Sequence, residues 1–107
     1  MQNETWSKGE QAIARRAFDQ ASARECSALA DEVRRRAKSI AEPSDIWKLH
    51  DFLTRERRAI DEKYDYRYSV LIFVFTRLIR DGWLTEAEIA GLSEDRLAKI
   101  RFLVEEL

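Results

Sequence analysis

The sequence predicts an all-α chain with one long N-terminal helix and a compact cap of shorter helices. Three observations carry the prediction. Only three Gly and one Pro interrupt 107 residues, too few for the many turns of a sandwich or barrel. Ala, Leu, Glu, Arg and Lys are abundant, and these are the strong helix formers. Small and apolar residues recur three or four apart through the long segments. The length suits a single helical domain over residues 1–107, and no linker, repeat or low-complexity stretch divides it.

The first segment runs from about Ser7 to Ile40. Ala14, Ala17, Phe18, Ala21, Leu29, Val33, Ala37 and Ile40 form its stripe. Ser7 caps it, with Glu10 three residues on completing a capping box. Some 33 residues of helix extend about 50 Å, whereas a compact domain of this size has a radius of gyration of only about 13 Å. The rest of the chain cannot cover such a helix. A homodimer is therefore expected, with Leu29, Val33 and Ile40 in its seam.

Glu42-Pro43-Ser44-Asp45 breaks the helix, and Ser44 is expected to cap the next one, over about Asp45–Lys63. Ile46, Leu49, Leu53 and Ile60 are its expected buried stripe. A third segment, Asp65–Asp81, holds the run Val70-Leu71-Ile72-Phe73-Val74-Phe75. Its β-branched and aromatic content would suit a strand. Helix is preferred, because Leu71, Val74 and Leu78 keep the helical period into Gly82, a C′ residue, and no partner strand exists. An apolar middle of this kind is expected to be buried. Thr85-Glu86-Ala87-Glu88 is a second capping box, opening a short helix to about Ala90. Ser93 caps a last helix carrying Leu97, Ile100, Leu103, Val104 and Leu107.

Composition excludes several functions. Nineteen Lys and Arg against twenty Asp and Glu leave a net charge of −1, which argues against a nucleic-acid partner. Cys26 is the only Cys and His50 the only His, so disulfides, zinc sites and other metal clusters are not expected, and no cofactor is implied. The N-terminal residues Met1–Lys8 are polar, unlike a signal peptide. The six-residue apolar run is far short of the roughly 20 residues that span a bilayer, so stable membrane insertion is not expected and the default compartment is the cytoplasm. Cys26 reads as a small buried filler of the first helix.

The informative stretch is Trp47-Lys48-Leu49-His50-Asp51-Phe52-Leu53-Thr54-Arg55-Glu56-Arg57-Arg58. At 100° per residue, Asp51, Thr54, His50 and Arg57 lie near +40°, −20°, −60° and −80° of Trp47, an arc of about 120°. A large aromatic thus stands on a polar helix face beside a carboxylate, an imidazole and a guanidinium. One reading packs Trp47 across a dimer seam. Another makes the face a protein-binding patch, since Trp and Arg are enriched at interface hot spots. Catalysis by His50 and Asp51 is disfavoured, because adjacent helical residues point about 100° apart; the chain reads as a non-enzyme. Arg34-Arg35-Arg36 with Lys38 is one basic cluster, but Asp31 and Glu32 stand one turn back, so a solvated face is expected. Tyr64, Tyr66 and Tyr68 alternate by two, so some should pack and others stay exposed.

These residues also carry a resemblance. Trp47–Leu53, Ile60-Asp61, Lys63-Tyr64-Asp65, Arg67, Ser69-Val70 and Ile72-Phe73-Val74-Phe75 closely resemble the fluorescence recovery protein family of cyanobacteria. A weaker likeness continues through Trp6-Ser7, Ala17-Phe18, Arg24-Glu25, Leu29, Val33 and Lys99-Ile100. The resemblance implies an all-α, non-enzymatic homodimer with long helices and a smaller helical head. Its partner would be the photoactivated orange carotenoid protein, bound mainly through that protein's C-terminal domain. Binding would speed return to the dark orange form and end quenching at the phycobilisome, so antenna fluorescence recovers. The implied setting is cytoplasmic, at the thylakoid through the phycobilisome. The implied partner-binding residues are Trp47, His50, Asp51 and Arg57, with Phe73 and Lys99 in the head.

Physical logic supports such a role independently. A protein that accelerates relaxation binds the transition state between two forms better than the starting form. Holding two separated domains together raises their effective concentration. A second class of function stays open from the residues alone: a general helical homodimeric adaptor using the Trp47 face on an unrelated client.

Overall fold

The computed structural model describes residues 5–106. Four α-helices follow one another, α1 (Lys8–Lys38), α2 (Pro43–Lys63), α3 (Leu71–Arg80) and α4 (Glu94–Glu106), with a 3₁₀ turn at Glu86–Ile89 between the last two. Among the described residues there is no strand, so the Val70–Phe75 run is helical from Leu71 onward. Leu107, expected in the last helix, lies outside the described residues.

Local chemistry accounts for the boundaries. The Ser7 hydroxyl accepts the Glu10 N–H at 3.1 Å and the Glu10 carboxylate accepts the Ser7 N–H at 3.1 Å, so the capping box forms. At the other end Arg35, Arg36 and Lys38 face the negative end of the α1 dipole. α2 starts earlier than expected and Ser44 is not its cap. Pro43 occupies the first turn, where its missing N–H costs nothing, and Glu42 is the capping position. Asp45 reaches back instead, its Oδ2 accepting the N–H groups of Ala41 at 2.9 Å and Glu42 at 3.1 Å. Those bonds hold the Asp45 carboxyl below its ordinary value. α3 ends as a Schellman turn. The Gly82 N–H donates to Ile79 O (3.1 Å) and the Trp83 N–H to Leu78 O (2.9 Å), with Gly82 at φ +87°. A side chain at that φ would be strained, which is why Gly stands there.

The core lies at one end. Phe75, Leu71 and Leu78 of α3 are fully buried against Ile89 and Ile100, and α3 packs along α4. Ala14, Ala17 and Ala21 are buried on the N-terminal half of α1, where small side chains let the long helix lie close to the head. Trp6 seals the assembly at 6% exposure, with the Arg96 guanidinium 4.3 Å from its ring centroid.

The other end is an arm made of the C-terminal half of α1 and the α2 helix. The molecule measures 55 × 27 × 25 Å with a radius of gyration of 17.0 Å, well above the roughly 13 Å of a compact domain this size. The arm corrects several sequence expectations. The α2 stripe is not buried: Ile46 is 48% and Leu53 36% exposed, while Leu49 and Ile60 are half-covered. On α1, Leu29 and Val33 are half-buried and Ile40 is exposed. Cys26 is exposed rather than a buried filler. The reason is common to all. Two helices side by side cover only their facing edges, and the residues next to those edges need a third layer. Phe73 also departs from the expectation of a buried α3, at 59% exposure on the face turned away from the core.

Candidate functional site

The Trp47 face forms as the helical arithmetic predicts. α2 carries Trp47 at 65% exposure, and its indole meets the His50 ring edge-on at a centroid distance of 6.4 Å. His50 Nδ1 and Asp51 Oδ1 are 3.6 Å apart, beyond hydrogen-bond distance, and both side chains are exposed. Thr54 is turned inward along the helix, its hydroxyl donating to His50 O at 3.0 Å. Arg57 Nε donates to Asp61 Oδ2 at 3.2 Å, one turn on. Both side chains are mostly in water, so that pair is weak and the guanidinium fork remains available. Among the described residues no three His, Cys, Asp or Glu side chains converge as a metal site requires.

A groove of about 600 Å³ runs beside this face between α1 and α2. Cys26, Leu29, Leu53 and Ile60 give it an apolar floor, and His50 and Arg57 stand at its edge. The binding candidates of the arm and the seam candidate Leu29 therefore adjoin one another. Phe73 and Lys99 lie elsewhere, lining a second groove of about 570 Å³ between α3 and α4 in the head. So the six candidate contact residues fall into two groups, four on the arm and two on the head.

Three charged clusters, unread from the sequence, tie α1 and α2 to the other elements. Glu10 links α1 to α4 by accepting the Ser93 N–H at 2.9 Å and Arg96 Nη1 at 2.9 Å. Burial pushes the Glu10 carboxyl up, but the Ser93 and Ser7 N–H groups and the Arg96 charge outweigh it and hold it below its ordinary value. Arg24 clasps Glu88 with a two-point contact and donates to Trp83 O at 3.1 Å, drawing Glu88 down to about 2. Lys63, almost wholly buried at the end of α2, sits 2.7 Å from Glu25 and 3.4 Å from Asp81, and the Tyr64 hydroxyl donates to Glu25 at 2.8 Å. Burial and that carboxylate both raise the Tyr64 phenol. The basic run proves to be paired: Arg34 with Asp31, Arg35 and Arg36 with Glu32, and Arg36 also stacks 3.8 Å from the Phe52 ring centroid.

Comparison with known proteins agrees with this architecture. Residues 6–104 match the family model of the photoprotection regulator fluorescence recovery protein. The chain is 42% identical over 98 residues to the fluorescence recovery protein of Synechocystis sp. PCC 6803, covering 92% of this chain and 90% of that one. The structure of the Fremyella diplosiphon fluorescence recovery protein superposes with a TM-score of 0.89 at 50% identity, over 94% of this chain and 99% of that one. That of the Synechocystis protein gives 0.88 at 41% identity, over 94% and 98%. An all-helical head-and-arm fold, with residues 6–104 matching the family model, shows that the chain belongs to the fluorescence recovery protein family of photoprotection regulators.

Proposed function

We propose that this chain is a non-enzymatic regulator that binds the photoactivated orange carotenoid protein and speeds its return to the inactive orange form. Family membership supports the photoprotective role. The observation that carries the reading is Trp47: a 65% exposed indole on a helix face shared with His50, Asp51 and Arg57. Trp and Arg are the side chains that dominate interface hot spots, and the fold makes no use of most of this indole. Trp47 is the apolar anchor. Asp51 and Arg57 set orientation by charge, and His50 adds a hydrogen bond. Phe73 and Lys99 provide the head contact. The client is engaged mainly through its C-terminal domain, at the phycobilisome.

The working form is a homodimer. The support is the uncovered arm: Ile46, Leu53 and Ile40 are exposed and Leu29 and Val33 only half-buried, apolar area that a second copy would remove from water. No described helix is long and apolar enough to cross a membrane, which fits action in the cytoplasm at the thylakoid surface.

The test is the dark relaxation of purified, photoactivated orange carotenoid protein, followed by absorbance with and without this protein. Acceleration at substoichiometric amounts is expected. An unchanged relaxation rate at saturating protein would sink the proposal and favour an unrelated client for the Trp47 face.

A further inference from the structure

We infer that the connector between α2 and α3 is a strap zipped onto α1 by a row of aromatic rings, and that Tyr66, at its centre, is a positioning residue for the regulatory activity. The functional half of this rests on the client reading above; the mechanical half does not.

α2 needs such a fastening. Lys63 is the one buried residue of the whole helix, so apolar burial does not fix where α2 lies against α1. The helix is held at its ends instead. Its start has the break at Glu42-Pro43, and Arg36 stacks there on Phe52. At its finish, beyond the Lys63 cluster, comes the connector, residues 64–70. Residues 64–67 are not helical, and among the described residues no backbone hydrogen bond joins the connector to α1. The Tyr64 N–H donates to Ile60 O and the Val70 N–H to Arg67 O. Side chains must supply the grip.

They form one continuous row. The Trp6 ring lies 5.5 Å from Tyr68, Tyr68 lies 5.7 Å from Tyr66, Tyr66 lies 4.9 Å from Phe18, and Phe18 lies 5.4 Å from Tyr64. The last three contacts are edge-to-face, a favoured geometry for ring pairs. Spacing by two would scatter three tyrosines around a helix. In this non-helical segment it keeps all three rings in the row, Tyr64 and Tyr66 half-buried and Tyr68 36% exposed. Tyr66 is gripped from three sides, by Phe18, by Tyr68 and by the Arg15 guanidinium 3.7 Å from its ring centroid. Arg15 and Phe18 sit on the N-terminal half of α1, where it lies along the head, so the strap ties the end of α2 to the head. Slack in the strap would let α2, and the Trp47 face with it, settle in several orientations. A face without one orientation still binds, but it does not bring the parts of its client together productively.

The first measurement is a distance between α2 and the head. Spin labels on Arg55→Cys and Glu94→Cys, both exposed positions, in a Cys26→Ser chain diluted with unlabelled protein, should report one narrow distance. Tyr66→Ala should broaden it, and Tyr66→Phe, which keeps the ring, should restore it. The second measurement is a titration of the relaxation assay. Tyr66→Ala should lower the maximal acceleration roughly tenfold while the half-saturating concentration stays within about twofold. Trp47→Ala should shift the half-saturating concentration instead, and Tyr66→Phe should match wild type. If Tyr66→Ala loses its helical circular dichroism, Tyr68→Ala, which removes a ring already 36% exposed, carries both measurements. An unchanged narrow distance in the alanine variant would overturn the strap. A broadened distance with full acceleration, or an equal loss of affinity and maximal rate, would overturn the positioning role. No acceleration by the wild-type protein would overturn the client reading and the role of Tyr66 in it, while the distances still decide the strap.

Discussion

Trp47→Ala separates a binding anchor from a fold residue, because the structure makes its two costs unequal. A fully covered indole buries up to about 250 Å². At 65% exposure, about 160 Å² is left for a client and about 90 Å² is shared with the chain's own surface. At 25 cal/mol/Å² these areas set ceilings of about 4 kcal/mol for binding and about 2 kcal/mol for folding. The folding figure shrinks toward about 1 kcal/mol, since Ala keeps the Cβ and the unfolded chain already covers part of the ring. Ordering of side chains at the interface offsets part of the binding figure and leaves about 2–3 kcal/mol, roughly thirty- to 150-fold in affinity.

The expected result is therefore a folded variant with wild-type helical circular dichroism, unchanged mass by light scattering, and most of the relaxation acceleration lost. Trp6→Ala is the contrasting variant. That indole is 6% exposed under Arg96, so its removal should cost about 3–5 kcal/mol of stability. The reasoning is refuted if Trp47→Ala accelerates client relaxation like wild type, or if it melts the fold as Trp6→Ala does.

Three other outcomes follow from the same geometry. Leu29→Glu or Val33→Glu would put a charge into the proposed seam at a cost of several kcal/mol if it stays buried, so light scattering should show a helical monomer, and a persisting micromolar dimer would disprove the seam. Glu10→Ala leaves Arg96 nearly buried and unpaired and orphans the Ser93 N–H, so urea denaturation should show a loss of about 3 kcal/mol, with Arg96→Ala much less than additive to it; a loss below about 1 kcal/mol would contradict the clasp. Glu10 and Glu88 both have lowered folded-state values against an ordinary 4.5, Glu88 reaching about 2, so the stability they confer is fully present above pH 4.5 and is lost as pH falls toward 2. Thermal melts over that range should show the decline, and Glu88→Gln should flatten it.

Where a signal is local, the sequence carried it. Ser7 with Glu10, and Thr85 with Glu88, lie three residues apart, and both boxes form as read. The exposure of Trp47 followed from helical phase. Non-local pairings left no trace. Glu10 reads as a capping residue, yet its carboxylate also meets Ser93, 83 positions away. Glu25 and Lys63 look like ordinary surface charges until α2 returns beside α1 and buries them. The failed burial of Ile46, Leu53 and Cys26 has a different origin. Periodicity reports that a face is apolar, and says nothing of whether the same chain supplies its cover.

Division of the molecule into a closed head and an open arm has a mechanical consequence. The head holds the core and two of the three charged clasps, so its elements can be stable without any second chain. The arm has no such core, and α2 is tied to the head through Lys63, Glu25 and Asp81 at the point where it meets α3. That cluster sets the direction in which the Trp47 face leaves the head. In the proposed complex Trp47 and Phe73 would be contact points on separate parts of one body 55 Å long. A client whose two domains must be brought back together needs such a bridge, because fixing both to one body turns their encounter into an intramolecular event. Loosening the joint should therefore harm acceleration more than it harms binding at either end. Lys63→Met leaves the nearly buried Glu25 without its cation and Asp81 with Arg77 alone, and it should lower the relaxation rate at saturating protein while the Trp47 contact persists. Equal loss of affinity and rate would assign the cluster to folding alone.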